Sequence, residues 1–395
     1  MARACAKGEL LGQLTNFIPI GGTMRTLRAA SNYLRSFLKS DEHYEAYNPR
    51  AGRADWSTFS RWLILGSCGS VAALFLAVVV LNPFGNFPIT RFSQVFADNN
   101  QRYSYPSIAR SGRHQSAIFG TSSSRLLTPQ DLENEFGGRF ANLSMDAATA
   151  WEQTQIARLF LRHVKKPETV ILSLDWMVWC NQAADEQRVT FRLFPKSFYD
   201  ENPINDFADI LNLELWDALR KSVKVATGSR EPYQDADGFG DFTPGEDNYD
   251  AERASYHIHE KPLPQPDLTP LTPEELANLK FPALDWLAET LSEIPSDTKT
   301  LIVRMPVNAT ALAVPGTRNA QAEKECFRRT KELAKSRGVP IFDMAFASPF
   351  TTNDLNYWDP MHYRLPLGPQ IVRAIGQAYR DGKSTDILHV TAARN

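Results

Sequence analysis

Apolar positions along the chain fall into two regimes. Trp62 to Leu81 (WLILGSCGSVAALFLAVVVL) is one unbroken run without a charge. At about twenty residues it is long enough to cross a bilayer core as a helix. From His114 onward the apolar residues come in short blocks separated by stretches of helical period. Ser116 to Phe119 (SAIF), Phe140 to Leu143, Thr169 to Leu174 (TVILSL), Thr300 to Met305 (TLIVRM) and Val339 to Phe342 read as strands. The β-branched, largely apolar character of TVILSL and TLIVRM predicts burial on both faces. Pro129 to Phe136, Thr149 to His163, Ala320 to Ser336 and Pro369 to Tyr379 read as helices, the last with proline near its first turn. Strand–helix alternation of this kind predicts an α/β domain whose parallel sheet is covered on both faces, with Val339 to Phe342 as its last strand.

Between Cys180 and Thr298 the rhythm breaks. Glu231 to Asp250 is acidic and glycine-rich, and His259 to Pro273 is proline-rich. A helix is predicted over Phe207 to Val225, and Thr272-Pro273-Glu274-Glu275 has the form of a capping box opening another. Residues 180–298 therefore read as an insertion lying over the sheet edge. Asp235, Asp237 and Asp241 suggest a calcium loop, but their spacing does not fit the EF-hand. A solvated loop is expected there, with no metal and no cofactor.

The long apolar run divides the chain into a leader (1–61), a transmembrane helix (62–81) and a domain beyond it (82–395). A cleaved signal peptide fits poorly: the run is too long and too far from Met1, and no small-x-small site follows. Arg50, Arg53 and Arg61 precede the span, and only Arg91 lies in the comparable stretch after it. The positive-inside rule then puts the leader in the cytosol and residue 82 onward outside. Thr26 to Lys39 reads as a basic amphipathic helix suited to the inner leaflet; a true start at Met24, leaving much of the leader untranslated, is an equally open reading. Cys5 would be cytosolic, Cys68 in the membrane, and Cys180 and Cys326 in an oxidising space, where a bridge or two buried free thiols are both open readings.

Composition adds exclusions. The 395 residues are 43% hydrophobic and 22% charged, with a formal net charge of −2. That is globular composition without a nucleic-acid footprint. The four cysteines lack paired CxxC spacing, which argues against a structural zinc site.

Candidate chemistry lies at two distant places. Near the C-terminus, YWDPMHYR sets Asp359 three residues before His362, the spacing of a histidine oriented by a carboxylate. After the SAIF strand comes Gly120-Thr121-Ser122-Ser123-Ser124-Arg125. Glycine permits a sharp turn, and a serine just past a strand's C-terminal end stands at the sheet rim, where open parallel sheets bind ligands. The turn also offers free backbone N–H groups that suit an oxyanion. The same serines would serve equally as a helix cap.

These residues resemble the SGNH/GDSL hydrolase superfamily. Gly120-Thr121-Ser122 stands where that family has Gly-Asp-Ser, whose serine is the nucleophile. Asp359-Pro360-Met361-His362 matches its final Asp-x-x-His block, and the chain order agrees. Asn142-Leu143-Ser144-Met145-Asp146-Ala147-Ala148-Thr149 looks like its second block, Asn-x-Gly-x-x-Gly-x-Thr, with both glycines replaced. The third block's asparagine is absent, because that strand runs into Asp175-Trp176. The resemblance covers roughly Ser116 to Tyr379 without the insertion, and it implies a flavodoxin-like three-layer α/β fold. It also implies a Ser122–His362–Asp359 triad and an oxyanion site that includes the Ala147 N–H. Asn142 belongs to the second block, and Asn308, Ser123 and Arg125 are candidates for the missing donor. The layout resembles single-pass proteins of the bacterial inner membrane that place or remove acyl groups on envelope polysaccharides outside it. An acylated glycan is the implied substrate and a multi-span acyltransferase the implied partner. A catalytically inactive glycan-binding scaffold of the same fold and a membrane assembly factor are the alternatives. Trp176, Trp179, Tyr357, Trp358 and Tyr363 lie near the predicted rim, as core packing or as sugar-stacking faces.

Overall fold

The computed structural model describes residues 56–87, 96–185, 192–202, 205–260 and 267–392. The predicted helix at Thr26 to Lys39 lies outside the described residues. Two compact units divide between Ala72 and Ala73. The first described element is α1 (Trp56–Leu81), 26 residues with mean hydropathy 2.5, long and apolar enough to cross a membrane. It begins ahead of the apolar run, at Trp56 rather than Trp62. In the second unit Val78, one turn from the end of α1, is buried in the same apolar cluster as Phe84, Tyr103 and Phe198. The second unit thus includes the last turns of the apolar helix.

In the second unit α2 (Gln101–Arg110) precedes β1 (Ser116–Phe119). A one-turn α3 (Ser122–Arg125), then α4 (Pro129–Phe136), β2 (Phe140–Asn142) and α5 (Ala150–His163) follow. After β3 (Thr169–Ser173) and the short α6 (Trp176–Trp179) come α7 (Asp206–Ile210), α8 (Leu213–Ala226), α9 (Ala251–His259) and α10 (Pro273–Asn278). The chain then runs through α11 (Pro282–Glu293), β4 (Lys299–Arg304), α12 (Arg318–Ser336), β5 (Ile341–Asp343), α13 (Gly368–Asp381) and β6 (His389–Ala392). The sheet order is β2-β1-β3-β4-β5-β6. The first five strands are parallel, and β6 pairs antiparallel with β5. The fold is mixed α/β with a mostly parallel sheet.

Alternation along the strands explains how both faces are buried. Ala117, Phe119, Val170, Leu172 and Ile302 enter a cluster with residues of α2, α5 and α11. Their neighbours Ile118, Ile171, Leu301 and Val303 enter a second cluster with α4 and α13. A strand with helices on both sides needs apolar residues at consecutive positions, which is what TVILS and the inner half of KTLIVR supply. β5 is not the last strand, as the sequence reading had it. β6 is short and only partly buried, so HVTA carries no apolar block to announce it.

Helix starts follow local chemistry. Thr149 caps α5: its hydroxyl accepts from the Glu152 N–H at 3.2 Å, and the Glu152 carboxylate accepts from the Thr149 N–H at 2.8 Å. Glu152 is also the fully buried partner of Arg102 on α2, with Nε–Oε1 at 2.8 Å and Nη2–Oε2 at 3.0 Å. Removing one member of a buried ion pair strands the other charge. Arg102→Met should therefore cost about 3 kcal/mol, read as a lower midpoint in denaturant unfolding.

The insertion differs from its prediction in two ways. The predicted helix at Phe207 to Val225 is split into α7 and α8 by Asn212, whose Oδ1 accepts from the Glu214 N–H at 2.8 Å. Within the predicted insertion, α11 is the ordinary crossover helix between β3 and β4 and packs against α5. The acidic stretch does lie at the sheet edge: the Asn142 N–H of edge strand β2 donates to the Asp237 carbonyl at 2.8 Å. Of Asp235, Asp237 and Asp241, Asp237 takes side-chain partners outside the loop, while Asp235 and Asp241 are exposed and accept only from groups of their own loop. Asp235 accepts from the Asp237 and Phe239 N–H groups, both at 2.9 Å, and Asp237 pairs with His114 and Arg139 at 2.8 and 3.0 Å. Cys180, at the start of the insertion, is bridged to Cys326 of α12, with Cα atoms 5.7 Å apart. The free-thiol reading of these two residues is thereby set aside.

Candidate active site

The turn after β1 is built around a position that only glycine fills. A Cβ on Gly120 would come within 2.3 Å of Ser124 Oγ and 2.7 Å of Ser173 Cβ, far inside van der Waals contact. The chain turns there, passes Thr121 in extended backbone and opens α3 at Ser122. Of the three consecutive serines, Ser123 and Ser124 are buried and Ser122 is half-exposed at the rim. The other end of α3 is held by Asn142, whose Nδ2 faces the carbonyls of Ser124, Arg125 and Leu127 at 3.1, 3.3 and 2.7 Å. Such carbonyls at a helix end otherwise lack partners.

The closing loop explains why a three-residue Asp–His spacing works. Asp359 Oδ1 accepts from the backbone N–H groups of Met361 at 2.7 Å and His362 at 3.0 Å, folding the segment over its own carboxylate. The other oxygen, Oδ2, is left 2.7 Å from His362 Nδ1. Either side, Tyr357 and Tyr363 are fully buried and pair as a β-bridge. The Asn308 N–H donates to the Pro360 carbonyl at 2.9 Å, tying the loop to the chain beyond β4.

Two elements 240 residues apart then meet: His362 Nε2 lies 2.7 Å from Ser122 Oγ. Serine, imidazole and carboxylate form one continuous hydrogen-bonded line. Burial works to raise the Asp359 carboxyl. The hydrogen bond and charge of His362, with the two backbone N–H groups, outweigh it and hold the carboxyl below the usual range. Phe242, from the acidic segment, packs edge-on against the His362 ring at 5.4 Å and covers one side of the line.

Of the residues named for an oxyanion, three are committed elsewhere. Asn308 is buried, its Nδ2 3.1 Å from Asp354 and its Oδ1 accepting from the N–H and hydroxyl of Thr310, both at 2.9 Å. The side chain of Asn142 is spent on α3. Arg125 is fully buried, paired with Asp146 at 2.9 Å and held against the rings of Tyr233 and Phe242. Ser123 donates weakly to Asp175 at 3.4 Å. Ala147 is different: its φ of +49° is the left-handed conformation that the glycine expected there would adopt freely. Two residues earlier the Met145 N–H donates to the Gly120 carbonyl at 3.0 Å, which ties this segment to the serine turn. A cleft of about 130 Å³ opens beside Ala147, lined also by Met177, Val178 and Trp286. Ala147→Gly should leave stability unchanged or higher, whereas Ala147→Val should lower it by about 1–2 kcal/mol in thermal melts.

Asp175, in place of the expected asparagine, takes a role the sequence did not suggest. Its Oδ2 accepts from the Thr121 hydroxyl and its Oδ1 from Ser123, the residues on either side of Ser122. Burial pushes its pKa up, against those two hydrogen bonds. The run of hydroxyls in GTSSS is the only sequence signal that could have pointed to it. Asp175→Ala leaves the Thr121 hydroxyl unpaired and should cost about 1–3 kcal/mol, read in denaturant unfolding. Because the folded pKa is raised, the wild-type carboxyl loses stability as pH climbs from the unfolded value through the folded one. Asp175→Asn should flatten that decline in melts taken from pH 4 to 8.

Among the rim aromatics, Trp179, Tyr357 and Tyr363 are core residues. Trp358 is half-buried with its ring edge-on to Tyr249 at 5.1 Å, and Trp176 is half-buried. No protein-family model matches the chain, and a search of curated proteins finds no significant match.

Proposed function

We propose that the chain is a membrane-anchored serine esterase or O-acyltransferase that acts on acyl esters of a cell-envelope polysaccharide. The single observation that carries this reading is the pair of 2.7 Å contacts joining Ser122, His362 and Asp359. His362 Nε2 takes the Ser122 proton as Oγ attacks the ester carbonyl, and Asp359 holds the imidazole tautomer and stabilises the imidazolium. The proton passes to the departing alkoxide. Water, or a sugar hydroxyl, then attacks the acyl-serine and gives its proton to His362, which passes it to Ser122 Oγ as the acyl–oxygen bond breaks and the serine is freed. The Ser122 and Ala147 N–H groups stabilise the oxyanion, with the cleft beside Ala147 receiving the substrate. Strand order 2-1-3-4-5 is that of flavodoxin-type sheets, which supports an SGNH-like fold with the site at the carboxyl ends of β1 and its neighbours. The Cys180–Cys326 bridge supports a domain outside the cytosol, on the extracytoplasmic side of a bacterial inner membrane.

Asp175 at the third-block position favours one second reading, a glycan-binding scaffold without turnover. The two separate on full-length protein assayed with p-nitrophenyl acetate and with O-acetylated polysaccharide. The enzyme reading expects acetate release or transfer that Ser122→Ala abolishes; glycan binding with no turnover in wild type supports the scaffold.

A further inference from the structure

We propose that Arg102 is a positioning residue for the oxyanion site: its guanidinium locks the Asp146–Ala147 peptide in the orientation that turns the Ala147 N–H outward at the rim. The inference rests on the esterase or acyltransferase reading above and adds how its donor is held. Met145 to Ala148 form a β-turn, closed by the Ala148 N–H on the Met145 carbonyl at 3.2 Å. Among the described residues only Asn82 and Ala147 combine a side chain with a positive φ, so Asp146 keeps a negative one. Negative then positive φ at the two central residues is the type II pattern, which normally asks for glycine or asparagine at the second of them. The type I alternative differs by a flip of the central peptide and needs no positive φ. Alanine alone favours type I, because its Cβ opposes the left-handed conformation. A contact outside the turn has to hold the flipped form.

That contact comes from α2. Arg102 Nη2 donates to the Asp146 carbonyl at 3.1 Å. The described peptide bonds are all trans, so the N–H stands opposite the carbonyl. With the carbonyl drawn toward a fully buried guanidinium, the Ala147 N–H is turned the other way. Ala147 is exposed, and among the described residues its N–H meets no acceptor. A type I turn would present the Asp146 carbonyl oxygen there instead, which repels an oxyanion rather than stabilising it. Arg102 thus supplies through a hydrogen bond what glycine would supply through backbone freedom. The guanidinium is itself fixed by Glu152, whose carboxylate also caps α5. The Asp146 side chain adds a second tie. Its Oδ1 and Oδ2 lie 2.9 and 3.1 Å from Nη1 of Arg125, the last residue of the one-turn helix that Ser122 opens. Nucleophile and donor are therefore carried on one ion-paired frame.

The test is a double-mutant cycle in kcat, measured on the full-length protein with p-nitrophenyl acetate. Arg102→Lys keeps a charge opposite Glu152 but lacks the fork that reaches carboxylate and carbonyl together. It should lower kcat about a hundredfold, the cost of one lost oxyanion donor, with KM changed by less than about threefold. Ala147→Gly lets the turn hold its flipped form unaided. The gain in kcat from Ala147→Gly should be about tenfold larger in the Arg102→Lys background than beside Arg102. Arg102→Gln combined with Glu152→Gln removes both buried charges together and is read in the same cycle, so an unfolded Arg102→Lys does not decide the result. Equal gains in the two backgrounds, or a loss confined to KM, overturn the proposal and leave the esterase reading standing. A folded wild type that turns over neither p-nitrophenyl acetate nor O-acetylated polysaccharide, with Ser122 unlabelled by a fluorophosphonate, overturns that reading and this proposal with it.

Discussion

Ser122→Ala and His362→Ala should each lower kcat/KM for an ester substrate by about ten-thousand-fold or more, and the double variant should be no worse than either single one. The reason is geometric. A hydroxyl 2.7 Å from an imidazole nitrogen is useful only while both are present, because proton transfer and attack are one event. Asp359→Asn should cost about a thousand-fold or more while leaving the fold intact, since the amide favours the wrong imidazole tautomer. This carboxylate also links stability to pH. Its folded pKa lies below the ordinary value, so its stabilising contribution is complete above the unfolded pKa of about 3.9 and is lost as pH falls through the depressed folded value. Melting temperatures of wild type and Asp359→Asn should therefore converge toward pH 3 and separate toward pH 6. The carboxylate is 38% exposed, so solvent screens part of the effect.

The largest stability loss is expected on breaking the Cys180–Cys326 bridge. It spans a sequence separation of 146 residues, and the chain-entropy account sets a ceiling of about 5 kcal/mol for a loop of that length. About 4 kcal/mol is the expected cost of Cys180→Ser with Cys326→Ser, read as a drop in the denaturant midpoint of wild type against the double variant. The bridge closes over α10 and α11, with Leu279 and Phe281 packed on Cys326. Its loss should loosen that corner first. The Ser122–His362 contact, carried by β1 and the closing loop, should survive in mild denaturant. Protection of the thiols in protein isolated from cells would bear on compartment as well as stability.

How much of this could be read from the chain differs element by element. SAIF and Pro129–Phe136 match their predicted bounds, because a buried strand needs an unbroken apolar block and Thr128-Pro129 is a helix start. Asp359, His362 and Ser122 were legible as residue types in a plausible order. That they meet was not, since it depends on Asn308 holding Pro360 and on the fold of the Asp359 turn. Asn308, Asn142 and Arg125 misled because each is a polar side chain near the rim. Polarity does not reveal that a buried amide is spent on backbone carbonyls or that a guanidinium is sealed between two rings. Asp175 read as a lost donor, and its bond to Thr121 crosses between two strands that sequence spacing cannot align. β6 was missed because a short, half-exposed edge strand lacks the apolar block that marks the others. The disulfide pairs residues whose proximity is set by the insertion, whose course no local pattern fixes.

The central claim is that His362 activates Ser122. The most direct check is a fluorophosphonate probe applied to the full-length protein in membranes, with the adduct located by mass spectrometry. Labelling confined to Ser122 in wild type, and lost in His362→Ala, is the expected result. A wild-type protein that stays unlabelled while folded, or a label that persists on Ser122 without His362, would contradict it.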